Sequence, residues 1–143
     1  MKIAKFTFIF CLISTLVVFP LQTKSAGYFG KCRVPSVTEA VQDSKAVFIG
    51  EITKVVEDGD VKTFTFEVEK YWKGAGDEKI EINVRQTMRY QAWFEVGEKY
   101  LVYARGDKEN GKLWETRCSR SKLLADASKD VAELGRATKT IKK

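Results

Sequence analysis

Between Val61 and Trp72 the side chains alternate: Phe64, Phe66 and Val68 point one way, and Thr63, Thr65, Glu67 and Glu69 the other. A period of two marks a strand with one buried face. Ile80, Ile82 and Val84 alternate in the same way with Glu81, Asn83 and Arg85. Ala46–Glu57 begins apolar on both faces (Val47, Phe48, Ile49) and turns mixed after Gly50, as a strand does when it leaves the core for solvent. Gly50 is expected at a bulge or a close backbone approach. Asp58-Gly59-Asp60 has the chemistry of a hairpin turn. Tyr100–Arg105 is apolar on both faces and hence central, and Lys112–Cys118 forms a last strand with Trp114, Thr116 and Cys118 on one face. Ser36 and Glu39 have capping-box spacing, which predicts a helix over Val37–Asp43. A second helix, Ala127–Leu134, buries Val131 and Leu134 and stops at Gly135. Arg136–Lys143 reads as a frayed basic tail. Five strands with hairpin-sized links predict an all-β domain with flanking short helices, its antiparallel sheet closed into a small barrel that hides its edges.

Residues 1–25 change the picture. Lys2 and Lys5 precede an apolar run from Phe6 to Leu21, and small residues Thr23 and Ser25 fit cleavage before Ala26, the layout of a secretory leader. The run is shorter than a spanning helix needs, so export ranks ahead of an anchor. Cys11 would leave with the leader. Losing Lys2, Lys5 and Lys24 lowers the net charge from +6 to +3, a mixed surface rather than a nucleic-acid footprint. Domains are assigned as 1–25 leader, 26–135 folded domain and 136–143 tail.

Export also gives Cys32 and Cys118 an oxidising compartment in which to pair, ahead of the alternative of two free thiols. A loop of this length is stabilised by about 4–5 kcal/mol at most. The chain has no histidine. That removes Ser-His-Asp and Cys-His sites and the commonest metal ligand, so no enzyme, no catalytic residue, no metal and no cofactor is expected. Glu67, Glu69 and Glu81 read as a solvated sheet face. Arg85, Arg89, Tyr90, Trp93 and Phe94 form a basic-aromatic stretch, read as a loop covering one barrel end.

Five segments recur in order and spacing: Cys32-Arg-Val-Pro-Ser-Val-Thr-Glu-Ala, Ala46-Val-Phe-Ile-Gly, Tyr71-Trp-Lys-Gly, Gly97-Glu-Lys-Tyr-Leu-Val-Tyr-Ala and Cys118-Ser-Arg-Ser. Together they resemble the N-terminal, netrin-like domain of tissue inhibitors of metalloproteinases, most of all its single-domain microbial relatives. The likeness runs from Gly30 to Leu134 and implies a five-stranded OB-fold-like barrel. Inhibitors of that family chelate a protease zinc through the α-amino group and carbonyl of an N-terminal cysteine. Here Gly30 stands in that cysteine's place, the region of its partner near Ala92-Trp93 has no thiol, and cleavage before Ala26 leaves residues upstream. The expectation is therefore a secreted (extracellular or periplasmic) protease-inhibitor-like protein, a metalloendopeptidase inhibitor that acts by an N-terminal wedge rather than by zinc chelation. The wedge is the ridge Gly30, Lys31, Cys32, Arg33, Val34, Pro35 and Ser36, with Lys31 and Arg33 meeting an acidic cleft rim and Cys32–Cys118 stiffening it. The alternative is a non-inhibitory protein-binding module. The expected partner is a protein such as a zinc metalloendopeptidase. No nucleic acid and no stable membrane insertion after cleavage are expected, and the chain is expected to be a monomer.

Overall fold

The computed structural model describes residues 32–74, 76–87 and 92–141. They belong to the second of two units into which the chain divides, Lys31–Lys143. The leader expected at 1–25 lies outside the described residues.

Strand β1 (Ala46–Asp58) pairs antiparallel with β2 (Val61–Lys73), and β2 with β3 (Lys79–Arg85). Strand β4 (Lys99–Gly106) pairs with β1 and with the short β5 (Leu113–Glu115), and β5 lies beside β3. The order β1-β2-β3-β5-β4 thus returns to β1, a closed five-stranded, OB-fold-like barrel. One pairing departs from the antiparallel expectation: β3 and β5 run parallel. Parallel neighbours need a long crossover, here the whole stretch from 86 to 112 including β4.

Helices α1 (Val37–Asp43) and α2 (Ser128–Leu134) explain why β1 and β4 are apolar on both faces. Inside the barrel, Phe48, Ile52 and Val102 pack with Phe64, Phe66, Val68, Ile82 and Val84. On the outside, Val47, Ile49, Leu101 and Tyr103 pack against Ala40 and Ala127, with Val131 and Leu134 half-buried at the margin. The expectation that α2 buries Val131 and Leu134 is corrected: its buried residue is Asp130. The capping box of α1 is present as expected, with Ser36 Oγ accepting from the Glu39 amide at 3.2 Å and the Glu39 carboxylate accepting from the Ser36 amide at 2.8 Å.

Gly50 sits at a register shift, and a Cβ there would lie 2.9 Å from the Glu67 carbonyl oxygen, so the expected close approach is real. At one end of the barrel Phe94 is the plug, 5.3 Å from Phe64, 5.5 Å from Phe66 and 4.8 Å from Tyr100 by ring centroid, in edge-on contacts. Two further strands are added. β6 (Lys122–Leu123) pairs with β4, and β7 (Lys139–Thr140) with β2. The frayed tail expected at Arg136–Lys143 is corrected for residues 138–141. The Thr138 amide donates to the Tyr71 carbonyl at 2.7 Å, the Ile141 amide to the Glu69 carbonyl at 2.8 Å, and Ile141 packs on the core.

β1 has two unlike halves. Its pairing with β4 ends at Glu51–Lys99, and a last pair of bonds links Ile52 to Gly97 and Glu98. From Thr53 to Asp58 it pairs, among the described residues, with β2 alone, and these six residues are exposed. Turn residue Gly59, at φ 57°, closes the hairpin.

Candidate functional site

Residues 32–36 have no strand or helix of their own, so their position depends on what holds them. Of the expected ridge, Gly30 and Lys31 lie outside the described residues. Cys32, Arg33, Val34 and Ser36 are exposed and Pro35 is half-buried. Cys32 and Cys118 are joined as a disulfide, with their Cα atoms 5.2 Å apart. This ties the ridge to the turn that follows β5.

Two more attachments hold the same segment. Arg120, two residues beyond Cys118, donates from Nη1 to the Pro35 carbonyl at 2.7 Å. The rest of its guanidinium forks onto Asp130 of α2, with Nε to Oδ2 at 2.6 Å and Nη2 to Oδ1 at 2.9 Å, and Lys122 adds a contact to Oδ1 at 3.2 Å. Burial raises the Asp130 carboxyl, but the hydrogen bonds from Arg120 and Lys122 outweigh it and hold the group below its usual value. A bidentate arginine on a carboxylate fixes orientation as well as charge. The third attachment is the Ser36–Glu39 capping box, whose backbone bond from Ser36 is the largest influence lowering the Glu39 carboxyl.

The turn bearing Cys118 is itself organised around a buried carboxylate. Glu115 is 4% exposed; the Ser121 hydroxyl donates to its Oε2 at 2.8 Å and the Ser119 hydroxyl to Oε1. The Ser121 hydroxyl also accepts from the Tyr103 amide at 2.9 Å, which anchors the turn to β4. Burial pushes Glu115 up to about 7, opposed by the two serines and the field of Arg105. The strand expected over Lys112–Cys118 therefore stops at Glu115: its carboxylate turns in, and the chain folds back so that serines can satisfy it.

Beside the ridge lies a groove of about 420 Å³, lined in part by Arg33, Pro35, Glu39, Asp43, Arg105 and Cys118. Its charges are already matched: Arg33 to Glu39 at 2.8 Å and Arg105 to Asp43 at 3.1 Å. Arg33 reaches Glu39 of α1 while its side chain stays exposed. Arg85 and Trp114 stack with the guanidinium 5.6 Å from the ring centroid. They line a second groove of about 530 Å³ that reaches Glu115 and Arg117.

Other expected groups separate. In the basic-aromatic stretch Arg89 and Tyr90 lie outside the described residues, Phe94 is buried in the barrel end, and Trp93 is 40% exposed. Of the acidic face, Glu81 is exposed while Glu69 pairs with Lys99 at 2.5 Å. Among the described residues no group of three or more His, Cys, Asp or Glu side chains could hold a metal ion, and no helix is long and apolar enough to cross a membrane.

Sequence reasoning quoted Cys118-Ser-Arg-Ser as a motif without assigning its serines and arginine a role, and it missed Glu115 and Asp130. Arg120 and Asp130 pair across a turn and a helix and Glu115 is met by serines of its own turn, relations that spacing does not reveal.

No family model matches the chain, and no curated protein does. Among solved structures it is similar to one described as the structure of murine DNA binding protein bound with ds DNA, at 14% identity and a TM-score of 0.36, covering 64% of this chain. The chain spans about half, 48%, of that structure's chain. The expectation of no nucleic-acid partner is withdrawn, the neighbour being described as bound with ds DNA, which is said of that protein. At this TM-score the likeness carries no argument of its own about what the present chain binds.

Proposed function

We propose that this chain is exported, with residues 1–25 as its leader, and acts as a protease-inhibitor-like protein. Its wedge is the ridge Gly30–Ser36, docked into the cleft of a zinc metalloendopeptidase without chelating the zinc. The observation that carries this reading is the triple attachment of the segment. The disulfide, the Arg120 bond to the Pro35 carbonyl and the capping box leave Cys32, Arg33 and Val34 exposed on a fixed backbone. Preorganisation of this kind removes ordering entropy from the cost of docking. Val34, 55% exposed, is the apolar tip available to enter a pocket. The absence of histidine supports binding over catalysis.

Titrating the purified protein against a panel of zinc endopeptidases tests this. The reading predicts dose-dependent loss of activity with at least one enzyme, weakened by Val34→Asp. Flat curves across the panel would contradict inhibition and favour the alternative, a non-inhibitory protein-binding module.

A further inference from the structure

We infer that the outer half of β1 is a self-association edge, along which two copies of this chain pair antiparallel over Lys54–Asp58 about a two-fold axis at Val56. The edge is open. Among the described residues no hydrogen bond reaches β1 beyond Ile52 from the side opposite β2, and Thr53–Asp58 are exposed throughout. An exposed strand edge is a template for another strand. Two apolar side chains stand on it, Val55 at 37% and Val56 at 46% exposure.

The register with β2 decides which residues can meet. Ile52 directs its amide and carbonyl away from β2, to Glu98 and Gly97. The shift between Ile52 and Lys54 turns the alternation over, so Val55 and Glu57 carry the outward main-chain groups beyond it. Lys54, Val56 and Asp58 then share the face of Thr65, Thr63 and Val61, the residues opposite them on β2.

An antiparallel pair related by a two-fold axis must join residues of the same face. Centring it on Val56 sets Val55 opposite Glu57 of the second copy, where both present outward N–H and C=O groups. Val56 meets Val56 of the second copy at the axis, and Lys54 meets Asp58 of the second copy, once on each side. Opposite charges and apolar residues at directly facing positions are the favourable cross-strand pairs. A lone edge lysine blocks pairing, whereas here each Lys54 finds a carboxylate. A contact of five residues per strand is small, so the dimer is weak and concentration-dependent.

Sedimentation equilibrium of the purified protein between about 10 μM and 1 mM tests the inference, a range suited to a small interface. The dimer fraction should rise with concentration. Lys54→Glu should weaken it by roughly tenfold, and the swapped Lys54→Glu/Asp58→Lys variant should restore it, because the facing pairs again have opposite sign. Val56→Cys should cross-link on oxidation, since facing Cα atoms in such a pair lie within disulfide range; Val55→Cys should not. All four positions are exposed, and near-UV circular dichroism checks that each variant folds. Three results would overturn it: a monomer over the whole range, a dimer indifferent to Lys54→Glu, or a swapped variant no better than the single one.

Discussion

Two exposed segments of this chain are built in opposite ways. The ridge at Cys32–Ser36 has no regular structure, yet a covalent bond, the Arg120 bond to the Pro35 carbonyl and a helix cap fix it. The outer half of β1 is strand, yet among the described residues only β2 pairs with it and all six of its residues are exposed. Regularity and restraint are thus separate properties. Docking to a foreign cleft calls for restraint, whereas pairing with another copy calls for an open, regular edge.

The contrast is broken most strongly by removing the disulfide. Cys32→Ser/Cys118→Ser should lower unfolding free energy in urea by about 4 kcal/mol, while leaving concentration-dependent association at β1 intact. Glu115 gives the next effect through pH. Its folded carboxyl is raised above its unfolded value by burial. The native state therefore holds this proton more tightly, and stability contributed at low pH is lost as pH rises through about 7. The neutral Glu115→Gln variant removes that slope. The stability difference between the two proteins should shift in the variant's favour by about 3 kcal/mol between pH 4 and pH 8, measured by denaturation at each pH.

Asp130→Asn should cost about 2–3 kcal/mol by stripping Arg120 of its carboxylate in a half-buried setting. It should also move the ridge amides, because the same guanidinium holds the Pro35 carbonyl. The smallest effect belongs to the outer half of β1. Val56→Thr should change thermal stability by less than about 0.5 kcal/mol, since the side chain is 46% exposed and stands outside the core clusters.

How much of this could be read from the chain follows the same division. Elements set by local pattern were legible: the Ser36–Glu39 capping box, the alternation through Phe64, Phe66 and Val68, and Gly50 at a close approach. The double apolar faces of β1 and β4 announced central strands, and the helices that cover them explain why. Closure into a barrel was expected and is found, but the strand neighbours and contacts it brings together were not legible. The parallel partnership of β3 and β5 joins strands with β4 between them in sequence, and no local signal encodes it. Glu115 sits beside Trp114 in a pattern that places Trp114, Thr116 and Cys118 on one face, so its burial depends on serines the turn brings in. Lys139–Thr140 looked like tail because two polar residues carry no period, and Ile141 docking on the core is what makes a strand of them.

Backbone nitrogen-15 relaxation in the disulfide-intact protein tests the restraint of the ridge most directly. The account predicts order parameters at Arg33, Val34 and Ser36 near the rigid-backbone level of about 0.85, equal to those of the barrel strands. Values below about 0.6 at these amides would show that the three attachments do not hold the segment, and would contradict a preorganised wedge.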